Sequence, residues 1–211
     1  FGANSAQRIL GHYVHLLGQL ATDLDTEVRG VSVLPDEERT LILDEWNGTR
    51  EEYPDTTVPE QLDAQATATP DAVAVRFGDD SLTYDELRRV TNRAARALLE
   101  REDTRNGFVG VFMERSIDMV VALLAVVKAG LAYVPIDPEY PADRIRYMVE
   151  DSGVPLVLTQ DTHRKALAAV AGVAEPVVLA ELLANTADDA DVPQSLTADS
   201  RAYMIYTSGS T

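Results

Sequence analysis

From residue 108 onward, short apolar runs alternate with stretches of helical spacing, and nothing else in the chain restricts its fold so tightly. FVGVFM (108–113), AYVPI (132–136), PLVLT (155–159), VVL (177–179) and AYMIY (202–206) read as strands, with helical patterns at 117–129, 141–152, 162–171 and 180–184 between them. Strands this apolar, each followed by a helix, belong in a parallel sheet covered on both faces, so the fold class is α/β. The stretch 117–129 is apolar nearly all round, which predicts a deeply buried helix. Gly130 closes it, Pro141 opens the next helix and Gly153 ends that one.

Two upstream helices are marked by their caps. Thr57 with Glu60, and Thr83 with Glu86, stand in capping-box spacing, and Leu82 faces Leu87 as a hydrophobic staple. The first helix ends before Pro70, VAVRF (73–77) reads as a short strand, and LTYDEL (82–87) opens a helix over 84–100. Nearer the start, Ile9, Leu10, Tyr13, Val14, Leu16, Leu17 and Leu20 form one apolar stripe on a helix over 6–20, a stripe that needs a partner. Pro35 and the acids at 36–38 then begin a short helix edged by Leu41, Ile42 and Trp46 and stopped by Asn47-Gly48, inside a polar, proline-punctuated linker. Phe1 is not an initiator, and the chain ends where a strand feeds a loop; both ends read as cuts in a longer protein.

Eighteen Lys and Arg against thirty-five Asp and Glu give a formal charge of −17, which repels phosphate backbones and anionic lipid and argues against a nucleic-acid partner. An anionic ligand must then be held locally, by backbone N–H groups and hydroxyls. There is no cysteine, hence no disulfide, thiolate nucleophile or thiolate metal ligand. The longest apolar run, MVVALLAVV at 119–127, is too short for a bilayer that needs about twenty residues. These features read as a soluble, cytoplasmic protein without a membrane partner. The acids at 187–191 read as a solvated loop ahead of the last strand.

The chemistry-bearing candidate is TSGST. Thr207, Ser208, Gly209, Ser210 and Thr211 supply four hydroxyls and a glycine after an apolar strand, where a parallel sheet places its ligands and where backbone N–H groups can turn toward a phosphate. It is not a Walker loop, and no Gly-x-Gly-x-x-Gly fingerprint occurs. His12 and His15 have no third ligand nearby and read as a solvated or packed pair, His163 as a surface residue, and no histidine stands in triad spacing to Ser208 or Ser210. No metal-binding or catalytic side chain is assigned. Capping accounts for Asp85 and Glu86, and VKAGLAYVPIDPEYP (127–141) needs only a structural role, with Pro135, Pro138 and Pro141 pinning a strand exit and a helix start.

LTYDEL (82–87), VKAGLAYVPID (127–137) and YTSGST (206–211), in this order and at these separations, resemble the first three core motifs of the adenylation domain of non-ribosomal peptide synthetases, within the wider acyl-CoA ligase and luciferase adenylate-forming superfamily. LPDEERTLILDEWN (34–47) resembles the linker before such a domain, and the helix at 6–20 the tail of an upstream condensation or epimerisation domain. The resemblance implies three segments: 1–30 as that upstream helix, 31–56 as interdomain linker, and 57–211 as the incomplete N-terminal part of the adenylation core. It implies an amino acid activated by ATP to aminoacyl-AMP, Mg2+ as the accompanying ion, and transfer to the phosphopantetheine thiol of a carrier (thiolation) domain, in the biosynthesis of secondary metabolites such as antibiotics. Thr207, Ser208, Gly209, Ser210 and Thr211 would wrap the β- and γ-phosphates. Family loops continue past this point with a lysine-containing run, EREDTRNGF (100–108) lacks the family's Gly-x-Gly-Asp turn, and the condensation domain's His-His motif is absent. Two other readings stand beside this one: a linker and half-domain acting as scaffold, and a stand-alone acyl-CoA ligase, against which the upstream helix and the Trp46-Asn47 linker speak. Whether a small helper protein is required stays open.

Overall fold

The computed structural model describes residues 2–23, 25, 27–170, 172, 174–193 and 196–207. The chain divides into two compact units, Phe1–Pro54 and Asp55–Thr211.

In the first unit α1 (Ala3–Thr22) carries the expected apolar stripe, yet none of its residues is buried, and Leu10, Tyr13 and Val14 are each about three-fifths exposed. Polar groups on its flank hold the next segment. The Gln19 amide donates to the Ser32 carbonyl at 2.7 Å and accepts from the Ser32 N–H at 3.0 Å, while His12 pairs with Glu38. The short helix α2 (Asp36–Thr40), with Pro35 at its N-cap, runs directly into a π turn over Leu41–Glu45, closed by the Trp46 N–H on the Leu41 carbonyl at 2.9 Å.

The second unit opens with α3 (Val58–Ala68) and α4 (Tyr84–Leu99), and both capping boxes form reciprocally. Thr57 N–H donates to Glu60 at 2.7 Å and Thr83 N–H to Glu86 at 2.8 Å, while each threonine hydroxyl accepts the N–H of the glutamate. Between these helices β1 (Val73–Phe77) does not join the main sheet. It pairs antiparallel with β2 (Asp80–Thr83), a strand too short and polar to show a period in the sequence.

The main sheet has four parallel strands, β3 (Phe108–Phe112), β4 (Ala132–Ile136), β5 (Leu156–Thr159) and β6 (Glu175–Val178), in the order β4-β3-β5-β6. Helix α5 (Ile117–Lys128) joins β3 to β4, α6 (Ala142–Ser152) joins β4 to β5, α7 (Asp161–Val170) joins β5 to β6, and α8 (Leu179–Ala184) follows. The pleat sorts the core into two halves. Val109, Val111, Leu156 and Leu158 pack with α4 and α5 on one face, and Phe112, Val134, Ile136 and Val157 pack with α6 and α7 on the other. Helix α5 buries Val121, Ala122, Ala125 and Val126, the burial its composition predicts.

Gly110 lies opposite Val134 and Val157 in the sheet. A Cβ built on it would stand 2.8 Å from Val157 Cγ2, so the Val157 side chain occupies the space any larger residue needs. Gly110→Ala is expected to cost about 1–3 kcal/mol by overpacking, read as a lowered Tm; an unchanged Tm would show that Val157 yields freely.

One expectation is extended and another corrected. The acids near 187–191 lie in the largely exposed loop expected, and that loop is tied to α4. Arg88 pairs with Asp191 at 2.8 Å, Arg89 with Asp189 at 3.7 Å and Arg96 with Asp188 at 3.2 Å, while Arg96 donates to the Ala190 and Asp191 carbonyls and Arg93 to those of Leu183 and Thr186 just before the segment. The sequence shows the acids as a run, but the arginines facing them lie about a hundred residues away on α4. The correction concerns 202–206, expected as a buried strand. Only Tyr203 bridges the sheet, parallel to Tyr133, and Tyr203 and Ile205 are more than half exposed. Pro135 accounts for the single bridge. Tyr133 turns its backbone outward, donating to the Ala202 carbonyl at 3.1 Å and accepting from Met204 N–H at 2.9 Å; two residues on, the next outward N–H would belong to Pro135, which has none.

Candidate functional site

Parallel sheets bind ligands beyond the carboxyl ends of their strands, where neighbouring strands send their connections to opposite faces. Here α5 leaves β3 toward one face and α6 leaves β4 toward the other, so the switch falls between β3 and β4. A cleft of about 710 Å³ opens at that place. Met113, Glu114 and Arg115 line it from the β3 exit, Asp137, Glu139 and Tyr140 from the β4 exit, Met119 and Leu123 from α5, and Ile205 and Tyr206 from the last segment.

Local hydrogen bonds set the walls. Ser116 caps α5 by accepting the Met119 N–H at 3.1 Å, and Gln160, at the end of β5, donates to Ser116 Oγ at 3.2 Å and accepts the Glu114 N–H at 3.2 Å. On the β4 side Asp137 Oδ1 accepts the Glu139 N–H at 2.9 Å, making a side-chain turn directly after the strand. His163, expected on the surface, instead packs edge-on against Phe112, ring centroids 5.8 Å apart, and lies 3.2 Å from Glu114.

Tyr206 closes the cleft next to the predicted site. Its hydroxyl donates to Asp151 Oδ2 at 2.6 Å, and its ring meets Tyr147 edge-on at 6.0 Å. Desolvation, and next the Asp151 carboxylate, hold this phenol above the ordinary tyrosine range, so it stays protonated and keeps donating. Of the five predicted site residues, Thr207 follows at once and is exposed, whereas Ser208, Gly209, Ser210 and Thr211 lie outside the described residues. Among the described residues no group of three or more His, Asp and Glu converges as a metal site, and His12 is occupied by Glu38. No helix among them is long and apolar enough to cross a membrane.

One buried polar centre escaped the sequence reading. Lys128, 2% exposed at the end of α5, places Nζ 2.6 Å from Asp63 on α3 and 2.7 Å from Asn92 Oδ1 on α4. The amide of Asn92 turns the other way, donating to the Asp189 carbonyl at 2.9 Å and to Asp191 at 3.0 Å. The signal was present: Lys128 falls seven residues after Val121 and three after Ala125, on the inward face of an apolar helix. A cation there must find a partner.

Comparison with known proteins agrees with this fold. The family described as AMP-binding enzyme matches residues 62–211. Bacitracin synthase 3 of Bacillus licheniformis is 39% identical over 203 residues, a stretch covering 96% of this chain and 3% of that protein. Gramicidin S synthase 2 of Brevibacillus brevis is 37% identical over 212 residues, covering all of this chain and 5% of that one. The crystal structure of the nonribosomal peptide synthetase FmoA3 with α-methyl-L-serine-AMP bound superposes with a TM-score of 0.79 at 29% identity, covering 98% of this chain and 24% of that one. The chain thus spans a small part of the length of the proteins it matches.

Proposed function

This chain belongs to the AMP-binding enzyme family, and from that premise we propose that it is the amino-terminal part of an adenylation domain within a nonribosomal peptide synthetase module. The single observation that carries this reading is that Tyr206, the residue that precedes TSGST in the sequence, lines the cleft beyond β3 and β4. A cleft of about 710 Å³ falls within the usual range for nucleotide-sized ligands. Thr207, Ser208, Gly209, Ser210 and Thr211 would hold the β- and γ-phosphates through hydroxyls and backbone N–H groups, the neutral donors that a strongly acidic chain has to use. Mg2+ would accompany the nucleotide as part of the substrate.

The reaction is amino acid plus ATP giving aminoacyl-AMP and pyrophosphate. A carboxylate oxygen forms a bond to the α-phosphorus as the bond from that phosphorus to the bridging oxygen breaks, and pyrophosphate leaves with the electron pair. This chain's residues contribute by fixing the triphosphate and by stabilising the charge that moves onto the leaving group. In a second step the phosphopantetheine thiol of a carrier domain takes the aminoacyl group and AMP departs. Residues 1–30 belong in this reading to the end of an upstream condensation or epimerisation domain and 31–56 to the linker, in a cytoplasmic assembly.

Pyrophosphate exchange tests the proposal. The full-length protein should incorporate labelled pyrophosphate into ATP only when a particular amino acid is supplied, and the isolated 211 residues should show no exchange. Exchange driven by fatty or aryl acids in place of amino acids would identify a stand-alone acyl-CoA ligase and overturn it.

A further inference from the structure

We infer that Arg115, at the β3 exit, is a nucleotide contact of this cleft, its guanidinium paired with a phosphate; this rests on the ATP-dependent reading of the site. Among the described residues that line the cleft Arg115 is the only cation, against three carboxylates, Glu114, Asp137 and Glu139. In a chain with 35 acids and 18 bases an arginine has no shortage of partners. Arg88 pairs with Asp85, three residues away, at 3.0 Å, and Arg146 with Asp143 at 3.0 Å. Arg115 has the same opportunity at Asp118, and Glu114 is its neighbour. Yet among the described residues no hydrogen bond or ion pair reaches its guanidinium, and Glu114 lies instead 3.2 Å from His163. An incoming anion thus meets a cation that it need not strip from another partner.

The backbone that carries Arg115 is held on both sides. Gln160, just past the end of β5, accepts the Glu114 N–H and donates to Ser116 Oγ, both at 3.2 Å. Ser116 Oγ in turn donates to the Glu114 carbonyl at 3.1 Å and accepts the Met119 N–H at 3.1 Å. One glutamine therefore ties the residues before and after Arg115 to the neighbouring strand. The arginine side chain swings from a fixed base, so ordering it on a ligand costs its own rotamer freedom and not that of the loop. Its planar fork of donors matches both oxyanions of the reaction, the nucleotide phosphates and the amino-acid carboxylate. Two considerations favour the phosphates. A guanidinium on the carboxylate would stabilise the nucleophile before it attacks, whereas on the triphosphate it stabilises charge that grows as pyrophosphate leaves. The carboxylates of Asp137 and Glu139 also repel an anion at short range, and a full positive charge on the facing exit offsets them where neutral donors alone would not.

The test measures ATP affinity by equilibrium dialysis, and kinetics by amino-acid-dependent pyrophosphate exchange, in the full-length protein and its Arg115→Ala, Arg115→Lys and Arg115→Glu variants. Arg115→Ala should weaken ATP binding about tenfold, the factor expected when one charge-assisted contact is lost, with KM for the amino acid unchanged. Arg115→Lys should recover part of the loss, because it keeps the charge without the fork, and Arg115→Glu should be worse than alanine. Added salt should narrow the gap between the arginine and alanine proteins, since the lost attraction is electrostatic. The melting temperature without nucleotide should not move, because the Arg115 side chain is exposed; this separates a ligand contact from a role in folding. Unchanged ATP affinity in Arg115→Ala and Arg115→Glu, a gap indifferent to salt, or a rise confined to KM for the amino acid would overturn the inference, while exchange in the unaltered protein leaves the adenylation reading standing. If the unaltered protein neither binds ATP nor exchanges pyrophosphate with any amino acid, that reading fails and the contact falls with it.

Discussion

Asp63→Ala should destabilise the protein more than Lys128→Met, although the two residues form one ion pair. Their surroundings differ. The Lys128 side chain is 1% exposed and that of Asp63 29%, with Nζ and Oδ1 2.6 Å apart. Without Lys128 the Asp63 carboxylate can turn to water, and methionine fills most of the vacated volume; the loss is one hydrogen bond at Asp63 and another at Asn92, about 1–3 kcal/mol. Without Asp63 a buried ammonium is left with only the Asn92 oxygen for company. Removing one partner of a buried pair in this way costs about 3–5 kcal/mol, which for a domain of this size lowers Tm by roughly 6–20 °C. Thermal inactivation of pyrophosphate exchange in the full-length protein reads both variants. Equal losses would mean that Lys128 reaches solvent once Asp63 is gone, and the account of the site as a sealed junction of α3, α4 and α5 would be wrong.

How much of this was legible before the structure depends on whether the cause was local. The capping boxes at Thr57 and Thr83 were, because donor and acceptor lie three residues apart and the helix brings them together whatever surrounds it. The strands at 108–112, 132–136 and 156–159 were also legible, since a strand buried on both faces must be apolar throughout. Causes that act across the chain were hidden. The four arginines of α4 and the acids near 190 each look like an ordinary solvated face, and only the fold shows that they meet. The antiparallel pairing of β1 with β2 was hidden because DSLT has neither alternation nor length.

The candidate site divides in the same way. Its hydroxyls and glycine after an apolar run suit a phosphate in the sequence. The setting of the residues just before it was not legible. AYMIY has the β propensity of a strand, but pairing also needs a neighbour with a free N–H at the right register, and Pro135 withholds it. The proline read as a strand-exit device in the sequence therefore has a second consequence, for a segment some seventy residues later. Tyr206 likewise gives no sign by itself that its partner is Asp151.

Thr207→Ala and Ser208→Ala, made in the full-length protein, should each lower kcat for adenylate formation about 10²-fold, with KM for the amino acid little changed. In the ground state the triphosphate shares its charge with solvent and with its metal ion, and an added hydroxyl donor gains little. As the bond from the α-phosphorus to the bridging oxygen lengthens, negative charge gathers on the departing pyrophosphate, and a donor already aimed there strengthens without any reorganisation. Such an interaction is made chiefly in the transition state, so its removal lowers kcat and not merely the affinity for ATP. A chain of net charge −17 makes these neutral donors more necessary, because its long-range field opposes the nucleotide and any compensation has to be local. The two losses should combine to less than their product, since on the proposed reading hydroxyls on adjacent residues would serve the same group of oxygens and the first removal would already let that group shift. A rise in KM for ATP at constant kcat would instead assign both hydroxyls to simple binding. Unchanged kinetics in both variants would leave them as turn formers and move the phosphates elsewhere in the protein.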